Sequence, residues 1–144
     1  MIQEIHDNLK ALALSHLMVK SFEYGDSFTI EKTGETLYPN FFLEYPFSVV
    51  YTKGSKDVSF SWYIVDLPSE GYTDDISLLN KVEQINEDIL SRLYLQDFEY
   101  FEIINSSNAL TFTEFMGDNT IAIRTDISLR VLRSANNCEA PFQN

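Results

Sequence analysis

Two histidines, one cysteine and one adjacent pair of aspartates are the side chains of this 144-residue chain that a catalytic or metal site would most readily use. Two imidazoles can hold one metal ion when both reach the same point. His6 and His16 are ten residues apart in a helical pattern, which separates them by about 15 Å along the axis and rules out a shared ion. His16 falls on the apolar side of that pattern, where a hydrogen-bonded core or interface histidine is the simpler reading than a general base. Asp74 and Asp75 could share acid and base roles or bind a divalent cation. At the start of a helix they more simply satisfy free amides and the helix dipole. An enzyme with an unfamiliar acidic site would draw on Asp66, Asp74 or Asp75. Gly117-Asp118-Asn119 lacks the spaced oxygen ligands and closing glutamate of a calcium loop and reads as a hairpin turn. Cys138 has no histidine in its own segment to activate it. The sequence contains no GxGxxG, no GxxxxGK followed by Ser or Thr, no GxSxG, no HExxH and no CxxC, which removes the common nucleotide, hydrolase, zincin and redox readings. No catalytic residue, metal site or cofactor is expected.

The elements that would carry these residues follow from periodicity. Ile2, Ile5, Leu9, Leu12, Ala13, Leu17 and Val19 recur at three- and four-residue spacings and predict an amphipathic helix over 2–20. Phe28 to Ile30 suggests a short strand. The runs 41–52 and 58–67, rich in aromatic and β-branched residues and separated by GSKD, predict an antiparallel pair. Pro46 cannot donate to a ladder, so the first of the two should lie at an edge or bend there. In the second, Val58, Phe60, Trp62 and Ile64 share one face and Ser59, Ser61, Tyr63 and Val65 the other.

A second helix is predicted over 74–95, capped by Thr73 or Asp74, with Ile76, Leu79, Val82, Ile85 or Asn86, Ile89 and Leu93 inward. A strand over 98–104 and a hairpin over 109–132 follow. On the return strand Ile121, Ile123, Ile127, Leu129 and Val131 share a face that Thr125 interrupts, with Arg124, Asp126, Ser128 and Arg130 opposite. The whole predicts an α+β fold: an antiparallel or mixed sheet with two amphipathic helices, in the order α-β-β-β-α-β-β-β. Residues 1–133 should form one domain, and 134–144 an extended arm outside the core.

Composition narrows the function classes. Apolar residues make up 44% and aromatics 14%, enough to build a core without disulfides or metals. The net charge is −12, from 22 acids and 10 bases, so the surface repels phosphate backbones and anionic membranes. Specific nucleic-acid binding and membrane association are therefore not expected. The first residues carry acids where a secretory leader would carry bases, and no apolar run approaches the roughly 20 residues of a membrane span. Synthesis and retention in the cytoplasm of the producing cell are expected.

Three features point toward assembly with other proteins. Nine aromatics crowd residues 38–63 (Tyr38, Phe41, Phe42, Tyr45, Phe47, Tyr51, Phe60, Trp62 and Tyr63), and aromatics are enriched at interfaces as well as in cores. Residues 66–102 hold ten acids against Lys81 and Arg92, whereas 124–133 hold Arg124, Arg130 and Arg133 against Asp126, a segregation that suits head-to-tail contacts between subunits. In the arm, Phe142 could anchor on a neighbour. Arg124, Arg130, Arg133 and Phe142 are thus the candidate interface residues.

The strand SFSWYIVDL (59–67), the helix DDISLLNKVEQINEDILSRL (74–93) and the closing strand GDNTIAIRTDISLRV (117–131) stand in an order that resembles the tail terminator and tail-completion proteins of tailed bacteriophages. The resemblance covers most of 1–132 and rests on element order and texture, with no sharp motif, so no residue's role is carried over. Segment 21–40 and the arm are not features of that family. The resemblance implies a non-enzymatic virion component that forms a homo-oligomeric ring at the neck or tail, contacts other connector or tail proteins, and lets DNA pass through its opening. Two other readings remain open: a monomeric binding module or adaptor whose aromatic sheet cups a peptide or small apolar ligand, and the acidic-site enzyme.

Overall fold

A computed structural model describes residues 2–26, 36–95, 101–104, 106–114 and 120–132. Helix α1 (Ile2–Ser15) is followed by strands β1 (Ser21–Gly25), β2 (Asn40–Tyr51) and β3 (Ser55–Asp66). Helix α2 (Asp75–Leu95) then leads to β4 (Phe101–Ile103), β5 (Asn108–Thr113) and β6 (Ile121–Leu132). This is the predicted α+β order.

The sheet is mixed. Its strands run β1-β2-β3-β6-β4, with only β1 and β2 parallel. Because β3 occupies one whole side of β6, β4 and β5 share the other side, β4 opposite Leu129 to Val131 and β5 opposite Ile121 to Asp126. The β5–β6 hairpin is the predicted one; its expected tip, Gly117-Asp118-Asn119, lies outside the described residues.

Both helices cover the same face of the sheet. Ile5, Leu9, Leu12 and Ala13 of α1 and Leu78, Val82, Ile85, Ile89 and Leu93 of α2 enter one cluster with Val58, Phe60, Trp62 and Ile64 of β3 and the predicted apolar face of β6. Each such side chain removed from water contributes about 1.5–3 kcal/mol, so this single layer dominates the stabilisation. The opposite face carries a smaller cluster of Phe42, Tyr63, Val65 and Ala122 near one end and polar side chains beyond it.

Three expectations need correction, and one strand was not anticipated. Helix α1 stops at Ser15 rather than continuing to residue 20. The Ser15 hydroxyl donates to the Leu12 carbonyl at 2.6 Å, and the His16 amide donates to Ala13 at 3.1 Å, which tightens the last turn. Leu17 is consequently 91% exposed instead of inward. In α2 the expected stripe holds at Val82, Ile85, Asn86, Ile89 and Leu93 but not in the first turn, where Leu78 is buried, Ile76 is 76% exposed and Leu79 only packs against the margin of the core. Strand β1 at Ser21–Gly25 was not expected, and the expected strand at 28–30 lies outside the described residues. The β2–β3 turn is Thr52 to Ser55, closed by the Thr52 amide donating to Ser55 at 2.8 Å, so most of GSKD already belongs to β3.

Pro46 acts as its chemistry requires. The β2–β3 register shifts between Glu44 and Ser48, and β1 ends opposite Glu44. The residue without an amide donor therefore sits where the ladder is interrupted and where β2 loses the flank that β1 supplies. Among the described residues no strand flanks the outer side of 45–51.

Candidate functional site

The acids that could have formed an enzymatic site are placed by structural partners. Asp66, with its side chain 3% exposed, lies 2.8 Å from the ammonium of Lys81, itself 9% exposed. Oδ2 of Asp66 pairs with that charge off the hydrogen-bond direction and has no aligned donor. Its Oδ1 accepts the Leu67 amide, and Lys81 also lies over the Tyr72 ring, 4.6 Å from its centroid. The triad ties the loop before α2 to the helix and the end of β3. Asp74 caps α2, its Oδ1 accepting the Ser77 amide at 2.7 Å, and Asp75 sits in the first turn. Among the described residues no group of three or more His, Cys, Asp or Glu side chains could hold a metal ion.

The histidines part company. His16 lies just beyond α1, where its Nδ1 accepts the Met18 amide at 3.1 Å. That donor places the ring proton on Nε2, which donates to Asp88 Oδ2 at 2.9 Å and links the end of α1 to α2. This bond, with a second from Gln84, lowers the Asp88 pKa. The hydrogen-bonded structural histidine expected from the sequence is what is found.

His6 stands in a different setting. Its Nδ1 lies 2.9 Å from Asp7 Oδ1, and because a carboxylate only accepts, Nδ1 carries a proton and, in the neutral imidazole, Nε2 presents a lone pair. The His6 bond is the main cause of the lowered Asp7 pKa; a bond from Gln3 Nε2 at 2.9 Å adds to it. Nε2 is buried and has no partner among the described residues. An unsatisfied buried group of this kind costs about 1–3 kcal/mol. The rings of Phe22 and Tyr24 meet the imidazole edge to face, at 5.4 and 4.8 Å between centroids.

His6 forms one wall of a cleft of about 350 Å³ whose other walls are Ile2, Tyr24, Leu43, Tyr45 and Phe47, with Gln3 at the side. The cleft exists because β1 ends at Gly25 while β2 continues, so Tyr45 and Phe47 extend past the strand that would otherwise cover them. Tyr24 is 61% exposed at its mouth. The aromatic crowding noted in the sequence thus divides. Phe41, Phe42, Phe60, Trp62 and Tyr63 are core, whereas Tyr45 and Tyr51 are exposed. His6 itself gave little sequence signal, since its significance depends on β1 and β2 arriving beside α1.

Of the candidate interface arginines, Arg124 and Arg130 face away from the helices and are engaged within the chain. Arg130 donates to both oxygens of Asp57, at 2.9 and 3.2 Å, which lowers the Asp57 pKa and raises that of Arg130. Arg124 donates to Asp126 at 3.2 Å and to the Ser61 hydroxyl at 3.2 Å, and lies 3.7 Å from Glu44. Partial burial pulls the Arg124 pKa down, but Tyr63, Asp126 and Glu44 together leave it raised. Burial, reinforced by Glu44, raises the Tyr63 hydroxyl. Ser59 and Ser128, bonded to each other at 2.7 Å, line with Glu44, Ser61, Arg124 and Asp126 a polar hollow of about 390 Å³. Arg133, Phe142, Cys138 and the arm 134–144 lie outside the described residues. Glu83, Glu87 and Asp88 are exposed along the outer face of α2.

Among the described residues no helix is long and apolar enough to cross a membrane. No protein-family model and no curated protein matches the chain.

Proposed function

We propose that this chain is a non-enzymatic structural subunit that works by assembly, as a ring-forming component of the neck or tail of a tailed-bacteriophage virion. The observation that carries the assembly reading is the outer side of β2. Residues 45–51 have strand β3 on one side, no described strand on the other, and Tyr45, Val50 and Tyr51 exposed along them. A sheet edge with large apolar side chains is a template for another chain. The virion placement rests on the resemblance in element order, and the charge of −12 per subunit supports an opening through which DNA slides without being held. Other connector or tail proteins would meet the ring above and below.

The test is mass measurement by light scattering over a concentration series, with negative-stain microscopy of the concentrated fractions. Closed rings are expected. A mass that remains that of one chain throughout, with no rings on the grids, overturns the reading. A monomeric binding module is the second reading, favoured by the cleft beside His6; it predicts that monomeric mass together with ligand binding.

A further inference from the structure

We propose that the cleft beside His6 binds a neutral aromatic ring carrying a hydrogen-bond donor, of the phenol or indole class, presented as a tyrosine or tryptophan side chain on an extended segment of a partner protein.

The chemistry of the walls sets the ligand class. Ile2, Tyr24, Leu43, Tyr45 and Phe47 offer aliphatic and aromatic surface, and a volume of about 350 Å³ is within the usual range of ligand pockets. No carboxylate is among the lining residues, so a cation entering it would lose hydration without gaining a counter-charge. An anion would meet the same apolar walls in a chain of net charge −12. The ligand is therefore neutral.

The buried polar atom of the lining that lacks a partner among the described residues then selects within that class. In the neutral imidazole, Asp7 holds the proton on Nδ1 of His6 and leaves Nε2 as an acceptor, so the complementary group must donate. Nε2 is buried, and the rings of Phe22 and Tyr24 pack edge to face against the imidazole that carries it. Phe22 is stacked on Phe41 of the core, 5.6 Å between centroids, whereas Tyr24 is largely exposed. Tyr24 is thus the movable cover: when its ring swings outward, an incoming ring takes its place against the imidazole, and a hydroxyl or indole N–H on that ring satisfies Nε2. A ring without a donor would fill the same space and leave Nε2 unsatisfied. Pockets built around a hydrogen bond discriminate strongly against analogues that lack it.

The surroundings set the source. The cleft opens where β1 ends, at the start of the side of β2 that no described strand flanks. A segment lying along 48–51 can pair with that backbone while placing one side chain in the cleft, which is how strand addition combines main-chain affinity with side-chain specificity. This source rests on the assembly reading, whereas the cleft's ligand class does not.

The experiment uses the full chain with ¹⁵N-labelled histidine, following the His6 Nε2 resonance by NMR. The probes are p-cresol, toluene, benzylamine, and acetylated, amidated five-residue peptides of valine and threonine with a central Tyr or Phe. Expected is a saturable Nε2 shift with p-cresol, at least tenfold weaker binding of toluene and benzylamine, and tighter binding of the Tyr peptide than of p-cresol. His6→Phe keeps the ring contacts and should erase the preference for p-cresol over toluene. Tyr24→Ala should strengthen p-cresol binding by removing the cover. Equal binding of p-cresol and toluene, or no binding of either, overturns the ligand class. A Tyr peptide no tighter than p-cresol overturns the protein source. Because rings are scored separately by light scattering, a chain that stays monomeric yet prefers p-cresol refutes assembly and keeps the site, and rings with no such preference do the reverse.

Discussion

Thr125 Oγ1 donates to Asn86 Oδ1 at 2.8 Å in the middle of the core, and the same oxygen accepts Trp62 Nε1–H at 2.9 Å. Thr125 is the residue that interrupts the apolar row of β6, and Asn86 is the polar residue on the buried side of α2. The two irregularities are partners. Since indole N–H can only donate, the amide oxygen of Asn86 must face the sheet, and the three side chains fix how α2 lies across β3 and β6.

Asn86→Ala should therefore be costly, because it strands two buried donors. The expected loss is about 2–4 kcal/mol by urea denaturation, against about 1 kcal/mol for Thr125→Val, which removes one donor together with its bond. A double-mutant cycle should show coupling of at least about 0.5 kcal/mol. Additive losses would mean that the contact contributes nothing to holding the helix in register.

The register of α2 yields a second contrast. Val82 is fully buried and Ile76 is exposed. Val82→Asp places an unpaired charge in apolar surroundings and should cost several kcal/mol or prevent folding; Val82→Ala, a milder change, should still cost about 1–3 kcal/mol. Ile76→Asp should stay within about 0.5 kcal/mol of the parent. Equal losses at positions 76 and 82 in urea titrations would refute the observed register.

Acid should destabilise the fold through three carboxylates. Asp7, Asp57 and Asp88 each have a pKa lowered from 3.8, by His6, Arg130 and His16 respectively as the leading cause. A lowered folded-state pKa means the unfolded chain binds more protons in the acid range. Stability from these groups is thus present above pH 3.8 and lost as pH falls through the folded-state values. Asp88 is partly exposed, so solvent screening limits its share to about 0.5 kcal/mol or less. Asp88→Ala should lower the thermal midpoint slightly at neutral pH, with the difference from the parent shrinking below pH 3.8. A difference that grows toward low pH would contradict this sign.

How far these features were legible in the sequence depends on the range of the interaction that decides each one. The alternation of β3 and β6 and the spacing of Leu9, Val82, Ile89 and Leu93 are local patterns, and they gave both helices and the hairpins their correct order. The end of α1 at Ser15 was not legible from apolar spacing, because Leu17 and Val19 continue the period while side-chain and main-chain bonds close the turn. Strand β1 was missed because SFEYG has one clear alternation and a parallel partner nineteen residues away (Ser21 opposite Asn40). The cleft was invisible for the same reason: its walls come from α1, β1 and β2, and only the sheet register brings Tyr24 and Tyr45 beside His6.

The net charge gives the last prediction, and the arginine pairs sharpen it. If Arg124 and Arg130 bridged subunits, salt would screen those bridges and weaken assembly. Instead Arg130 is held by Asp57, and Arg124 by Asp126 and Glu44, within one chain. The dominant long-range term between copies is then the mutual repulsion of subunits that each carry −12. Its reach falls from about 30 Å at about 0.01 M salt to about 8 Å at about 0.15 M. Short-range burial at the β2 edge and the cleft is little affected by screening over that range. Assembly should accordingly strengthen as salt rises, and the isolated protein should not retain duplex DNA at any point in the series, since a chain of net charge −12 repels the phosphates whose contact with basic side chains releases counterions. Sedimentation velocity across the series, with a parallel DNA-binding assay, reads both. Assembly that weakens steadily with salt would show that the arginines leave their own acids for a neighbour's, and tight DNA binding would refute an acidic opening.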